Sequence, residues 1–184
     1  MPPSSSRWKK LFLFCLGLAI GTAFCMKWIE SSFYSNNELF TIIGLELFYT
    51  EEKLVSVLKG MDAHVKSLLR SHLHFDFAFM AGIFPAIAAA CMMAREKIGH
   101  AGGRRLLFIL AALQTVAWGF DILENCQLLT WIDKPDIGER LSMFHFIVAS
   151  KWIIALAGAI AAILVLLSKR RPKIPGKIEI KSLF

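Results

Sequence analysis

Long apolar runs alternate with short stretches that hold nearly all of the charge. Leu11–Met26 is apolar apart from Thr22, Phe77–Ala94 and Leu106–Phe120 carry no charge, and Trp152–Leu167 is unbroken. Crossing about 30 Å of hydrocarbon at about 1.5 Å per residue takes about 20 residues. With boundaries at 11–29, 75–94, 106–132 and 141–167, all four segments reach that length, and the last two are long enough to tilt or protrude. The pattern predicts an all-α, polytopic membrane protein, one membrane domain over residues 1–184 built as a four-transmembrane-helix bundle. Soluble, fibrous and disordered classes are excluded.

The first run needs separate treatment, because Arg7, Lys9 and Lys10 ahead of it also resemble the start of a signal peptide. Cleavage after Gly21 or Ala23 fits that pattern only weakly, and Phe24 before Cys25 spoils a lipoprotein site. Gly17 and Gly21 form a G-x-x-x-G pair, which suits close packing on a neighbouring helix. The expectation is a retained span. Small residues recur at helical spacing in the second span (Ala78, Gly82, Ala86, Ala90) and in the fourth (Ala155, Gly158, Ala159, Ala162). Such stripes let helix backbones approach closely in lipid, and Pro85 is expected to kink the second span.

Between the first two spans lies the one sizeable segment outside them, residues 30–72. Thr50 followed by Glu51 and Glu52 reads as a helix start with acids in its first turn. Leu54, Leu58, Met61, Val65 and Leu68 then recur every three or four residues, which predicts one amphipathic outer-face helix running toward the second span. Upstream, Leu39–Tyr49 is apolar enough to dip into the interface. Together these pieces are expected to anchor the surface or to cover the outer mouth of the bundle.

Composition agrees: 56% hydrophobic, 19% charged, mean hydropathy +0.56, against about 45–50% and about 25% in soluble domains. The net charge of +7 would raise nucleic-acid binding in a soluble protein. Here it partitions by position. Residues 1–10, 95–105 and 169–184 hold 13 Lys and Arg with only Glu96 and Glu179, whereas 27–71 and 132–141 hold seven against nine acids. The positive-inside rule therefore puts both termini, including a basic tail over 168–184, in the cytoplasm. A multi-pass protein of a plasma or bacterial inner membrane follows, with membrane lipids and no nucleic acid as partners.

Polar residues inside the spans are costly and therefore informative. His72, His74 and Asp76 open the second span, the third holds Gln114, Asp121, Glu124, Asn125 and Gln127, and the fourth holds His145 and Lys151. On the derived topology most lie in the outer half. Gln114, Trp118, Asp121 and Asn125 share one helical stripe, with Glu124 beside it. Asp121 and Lys151 each lie roughly ten residues in, about 15 Å at 1.5 Å per residue, so Lys151 is expected to pair with Asp121 or else Glu124. His72, Asp76, His145 and Glu124 are candidate metal ligands, although no H-E-x-x-H or comparable motif backs them. Glu124, His145 and Asp76, with Asp121, are also candidate acid and base groups. The four cysteines, Cys15, Cys25, Cys91 and Cys126, form no C-x-x-C pair and read as small apolar residues, with Cys25 and Cys126 both near the outer side. Trp8, Trp28 and Trp131 are expected at interfaces, Trp118 and Trp152 inside.

Histidine-box di-iron motifs, G-x-S-G, G-x-G-D and C-C-G are all absent, which sets aside several families of membrane enzymes and the tetraspanins. The most motif-like element is D-I-L-E-N at Asp121–Asn125. The leading expectation is a non-catalytic membrane subunit or small binding protein. Its outer-half polar cluster would hold a lipid headgroup, a quinone headgroup or a partner helix, with other membrane subunits or further copies of the chain as protein partners. The rivals are a membrane enzyme acting on a lipid-like substrate and a transporter or channel element. The sequence assigns no cofactor.

Overall fold

The computed structural model describes residues 3–168, so the basic tail expected over 168–184 lies outside the described residues beyond Ser168. The chain is mostly helical. In order come α1 (Pro3–Glu30), a short hairpin of β1 (Tyr34–Ser35) and β2 (Glu38–Leu39), a π-helical turn at Gly44–Phe48, α2 (Glu51–Gly60), α3 (Ala63–Lys97), α4 (Ala101–Asp133) and α5 (Arg140–Leu167). Four helices, Ser6–Glu30 within α1 and the whole of α3, α4 and α5, are long and apolar enough to cross a membrane. That suggests a multi-pass membrane protein.

Helix α3 is the hub and packs against α1, α4 and α5, while α4 also packs against α5. Helices α3 and α1 approach closely. A Cβ built on Gly82 would lie 2.8 Å from both the Ala19 nitrogen and the Cys15 oxygen. Only a residue without a side chain admits backbone at that distance. Gly17 and Gly21, expected to make such a contact, instead have nothing within 4 Å of an added Cβ. The face of α1 that packs is Cys15, Ala19 and Thr22, all buried. Of the stripes expected on α3 and α5, Gly82, Ala86, Ala90, Gly158 and Ala162 are buried.

The single amphipathic helix expected from Thr50 through Leu68 is two elements. Thr50 caps α2 by accepting from the Lys53 N–H, and the helix ends at Gly60. Asp62 then accepts a 2.8 Å hydrogen bond from the Val65 N–H and starts α3. A side-chain oxygen bonded three residues on satisfies a free donor of a new helix, so the chain restarts there instead of continuing. Val65 and Leu68 therefore belong to α3, which begins twelve residues before the drawn span at Phe75.

The segment between α1 and α3 folds against the helix ends. Phe33, Phe40, Leu45, Leu54 and Leu58 join Leu69, Leu73, Leu128, Trp131, Ile132, Phe144 and Val148 in one buried cluster. The hairpin turns on Asn36 and Asn37, both at positive φ, as a two-residue turn between twisted strands requires. Ser35 then donates to the Val57 carbonyl and ties the hairpin to α2. Trp131, expected at an interface, is fully buried and lies 4.9 Å from the Phe144 ring, because this folded segment covers it.

Candidate functional site

Lys151 lies on α5, three helical turns in from Arg140, and Asp121 lies about as far in from the end of α4 at Asp133. Lys151 Nζ donates to Asp121 Oδ1 at 2.7 Å and lies 2.5 Å from Glu124 Oε2. The first contact is a directed hydrogen bond and the second a close ion-pair contact. All three side chains are buried, with 7% or less of each exposed. From α3, Asp76 Oδ2 accepts 2.6 Å from Asn125 Nδ2, so a third carboxylate faces the same level of the fold, among the described residues with only a neutral donor.

The structure adds a residue that the reading of the spans left out. Glu46, on the π-helical turn, is only 7% exposed, and its side chain neighbours Glu124. Burial first, and then the charges of Glu124 and Asp76, raise its carboxyl well above the usual carboxylate range, with Lys151 opposing them. One signal for it was present in the sequence. Within Leu39–Tyr49, Glu46 is the one charge in an eleven-residue apolar run, L-F-T-I-I-G-L-E-L-F-Y.

Glu46, Asp76, Asp121 and Lys151 border a cavity of about 410 Å³ between α1, α3, α4, α5 and the π-helical turn. Its polar end carries Glu46, His72, Asp76, Asp121 and Lys151; Phe79, Ile83, Phe84, Ile87, Trp152, Leu156 and Ala159 form an apolar remainder. His72 is 2% exposed, packs against Phe33 and leaves Nδ1 without a hydrogen-bond partner. Below the cluster, Gln114 donates to the carbonyls of Leu110 and Ile154. Gly158 makes room for that amide, which lies 2.5 Å from where a Cβ would stand.

The remaining candidates are not brought to the cavity. His74 is exposed, and Gln127 is half-buried with its Nε2 unpaired. His145 is half-buried beside the Phe144 ring and does not line the cavity. His72 and Asp76 line it together, as their i, i+4 spacing on α3 allows. Among the described residues, no three His, Cys, Asp or Glu side chains are grouped so as to hold one metal ion. Cys25 is half-buried, Cys126 exposed, and both are free thiols.

No family model matches the chain, and no curated protein or solved structure matches it.

Proposed function

We propose that the chain is a multi-pass membrane protein that binds a small amphiphile, head at the Lys151 cluster and apolar part along the cavity wall. The carrying observation is the cavity itself, in which charged and hydrogen-bonding groups occupy one end and Ile, Phe, Leu and Ala the rest. Ligand sites are concave, mostly apolar and furnished with a few polar groups, and about 410 Å³ falls within their usual range. Both termini and the 95–105 loop face the cytoplasm of a plasma or bacterial inner membrane, a reading supported by the basic excess in those segments. In that orientation the cluster lies in the outer half of the bilayer and the hairpin, π-helical turn and α2 cover its mouth.

Binding without catalysis is the reading favoured by the position of His145, which was expected as an acid–base partner of the carboxylates and lies outside the cavity. A lipid headgroup or a quinone headgroup supplies the polar end that the cluster requires. Other membrane subunits or a second copy of the chain are its candidate protein partners. Native mass spectrometry of the protein purified in a mild detergent tests the proposal. One co-purifying amphiphile per chain is expected, lost when Ala159→Trp fills the cavity. An unliganded chain that also fails to take up added amphiphiles overturns it.

A further inference from the structure

The cavity's charges are unequal, and that inequality names the head group. Three carboxylates that line the cavity, Glu46, Asp76 and Asp121, and Glu124 beside them gather around one ammonium, Lys151. That ammonium is already committed to Asp121 and Glu124. Among the described residues, Asp76 has only the neutral amide of Asn125. Glu46, more than nine-tenths buried and lining the cavity, has no cation within ion-pair distance among the described residues. His72, equally buried, lines the same end with Nδ1 unpaired. Resting on the amphiphile reading above, we infer that the cavity takes a cationic amphiphile: a protonated or quaternary ammonium head against Glu46 and Asp76, with an apolar tail along Ile83, Ile87 and Leu156.

The physical argument is one of compensation. An uncompensated charge away from water is expensive, and it is relieved either by a proton or by an opposite charge. A cation seated between Glu46 and Asp76 relieves both carboxylates at once. An anionic head, phosphate or carboxylate, would add repulsion instead, since among the described residues no Arg and no second Lys lines the cavity. A bare inorganic cation would leave the apolar wall unused. Aromatic residues at the same site suit an organic ammonium further, because Phe79, Phe84 and Trp152 line the cavity and cations are attracted to such rings. Lys151 Nζ itself already stands 5.5 Å from the centre of the Trp152 ring.

The test uses the full chain in nanodiscs, equilibrium dialysis and four labelled probes, with binding to empty discs subtracted. The probes are dodecyltrimethylammonium, dodecanoate, dodecanol and tetramethylammonium. Saturable binding of the first at one per chain is expected, about tenfold tighter than the other three, the scale of one charge-assisted contact. Dodecanoate or dodecanol binding as tightly overturns the cationic head and leaves the amphiphile reading standing. Tetramethylammonium binding as tightly overturns the role of the tail. Failure of all four to bind saturably overturns the amphiphile reading itself. Glu46→Gln is expected to weaken dodecyltrimethylammonium about tenfold while dodecanol is unchanged. An unchanged affinity for the cation in both Glu46→Gln and Asp76→Asn, each checked for folding by its thermal transition, overturns the assignment of the head to these carboxylates.

Discussion

The ammonium of Lys151 donates to Asp121 across the α4–α5 contact at 2.7 Å, with both side chains withdrawn from the surface. Each residue lies about three turns from the end of its helix, so the bond sets the register of the two helices as well as their separation. Glu124, one turn along α4 from Asp121, closes on the same ammonium. One cation thereby holds two carboxylates that would otherwise repel.

Lys151→Met removes that cation while leaving both acids in place. Breaking a buried pair by deleting one partner costs about 3–5 kcal/mol, because the remaining charges lose their compensation. The expected outcome is a large fall in the thermal transition of the purified protein. Replacing all three members, Lys151→Met with Asp121→Leu and Glu124→Met, is expected to recover most of it, since apolar groups of similar size need no partner. A triple variant as unstable as Lys151→Met would show that the charges are not what the site depends on.

Gly82→Ala tests the contact between α1 and α3. The new Cβ would meet backbone atoms of Cys15 and Ala19 at 2.8 Å, and helical backbone has no rotamer with which to retreat. Forced overpacking of this kind costs about 1–3 kcal/mol. Gly17→Ala is the matched control, because open space surrounds its Cβ and alanine is the better helix former. Thermal unfolding should therefore rank Gly82→Ala well below the wild type and Gly17→Ala at or above it.

The four long helices were legible from the chain because each is a continuous apolar run, and hydrophobic length survives any arrangement of the neighbours. The stripe of Gln114, Trp118, Asp121 and Asn125 was legible for the same local reason, helical spacing within one element; Gln114, Asp121 and Asn125 are buried and Trp118 is half-buried. What was not legible depends on which elements meet. Gly17 and Gly21 carried a packing motif, yet the side of α1 that meets α3 is the one with Cys15 and Ala19. Trp131 resembles an interfacial tryptophan until Phe33, Phe40 and Leu45, residues distant in sequence, are folded into the same cluster. Glu46 stood out as a lone charge in an apolar run, but only the turn at Gly44–Phe48 brings it to Glu124.

Asp62→Ala is expected to blur the boundary between α2 and α3. The Asp62 carboxylate accepts from Val65 at 2.8 Å, whereas the Thr50 hydroxyl accepts from Lys53 at 3.4 Å. Losing an N-cap costs about 1 kcal/mol, and the shorter bond should be the more costly to lose. Hydrogen exchange across the first turn of α3 should accelerate in Asp62→Ala by more than exchange across the first turn of α2 does in Thr50→Ala. Equal effects would assign the boundary to packing of Leu58 and Val65 instead of the cap.

Glu46 gives the protein a stability that depends on pH in a stated direction. Its carboxyl titrates well above the usual range in the folded chain, because burial and then Glu124 disfavour its charge. Between its unfolded and folded pKa the native state holds a proton that the unfolded chain has released. Stability therefore falls as pH rises from the ordinary carboxyl range toward the raised value. Asp76 and Glu124 oppose ionisation and Lys151 favours it, so the direction survives as long as the single ammonium stays shared. Glu46→Gln keeps the shape and removes the titration. Its thermal transition should match the wild type at low pH and exceed it increasingly as pH rises above the ordinary carboxyl range. A difference that is constant with pH, or that reverses sign, would mean Glu46 is ionised and compensated in the native state.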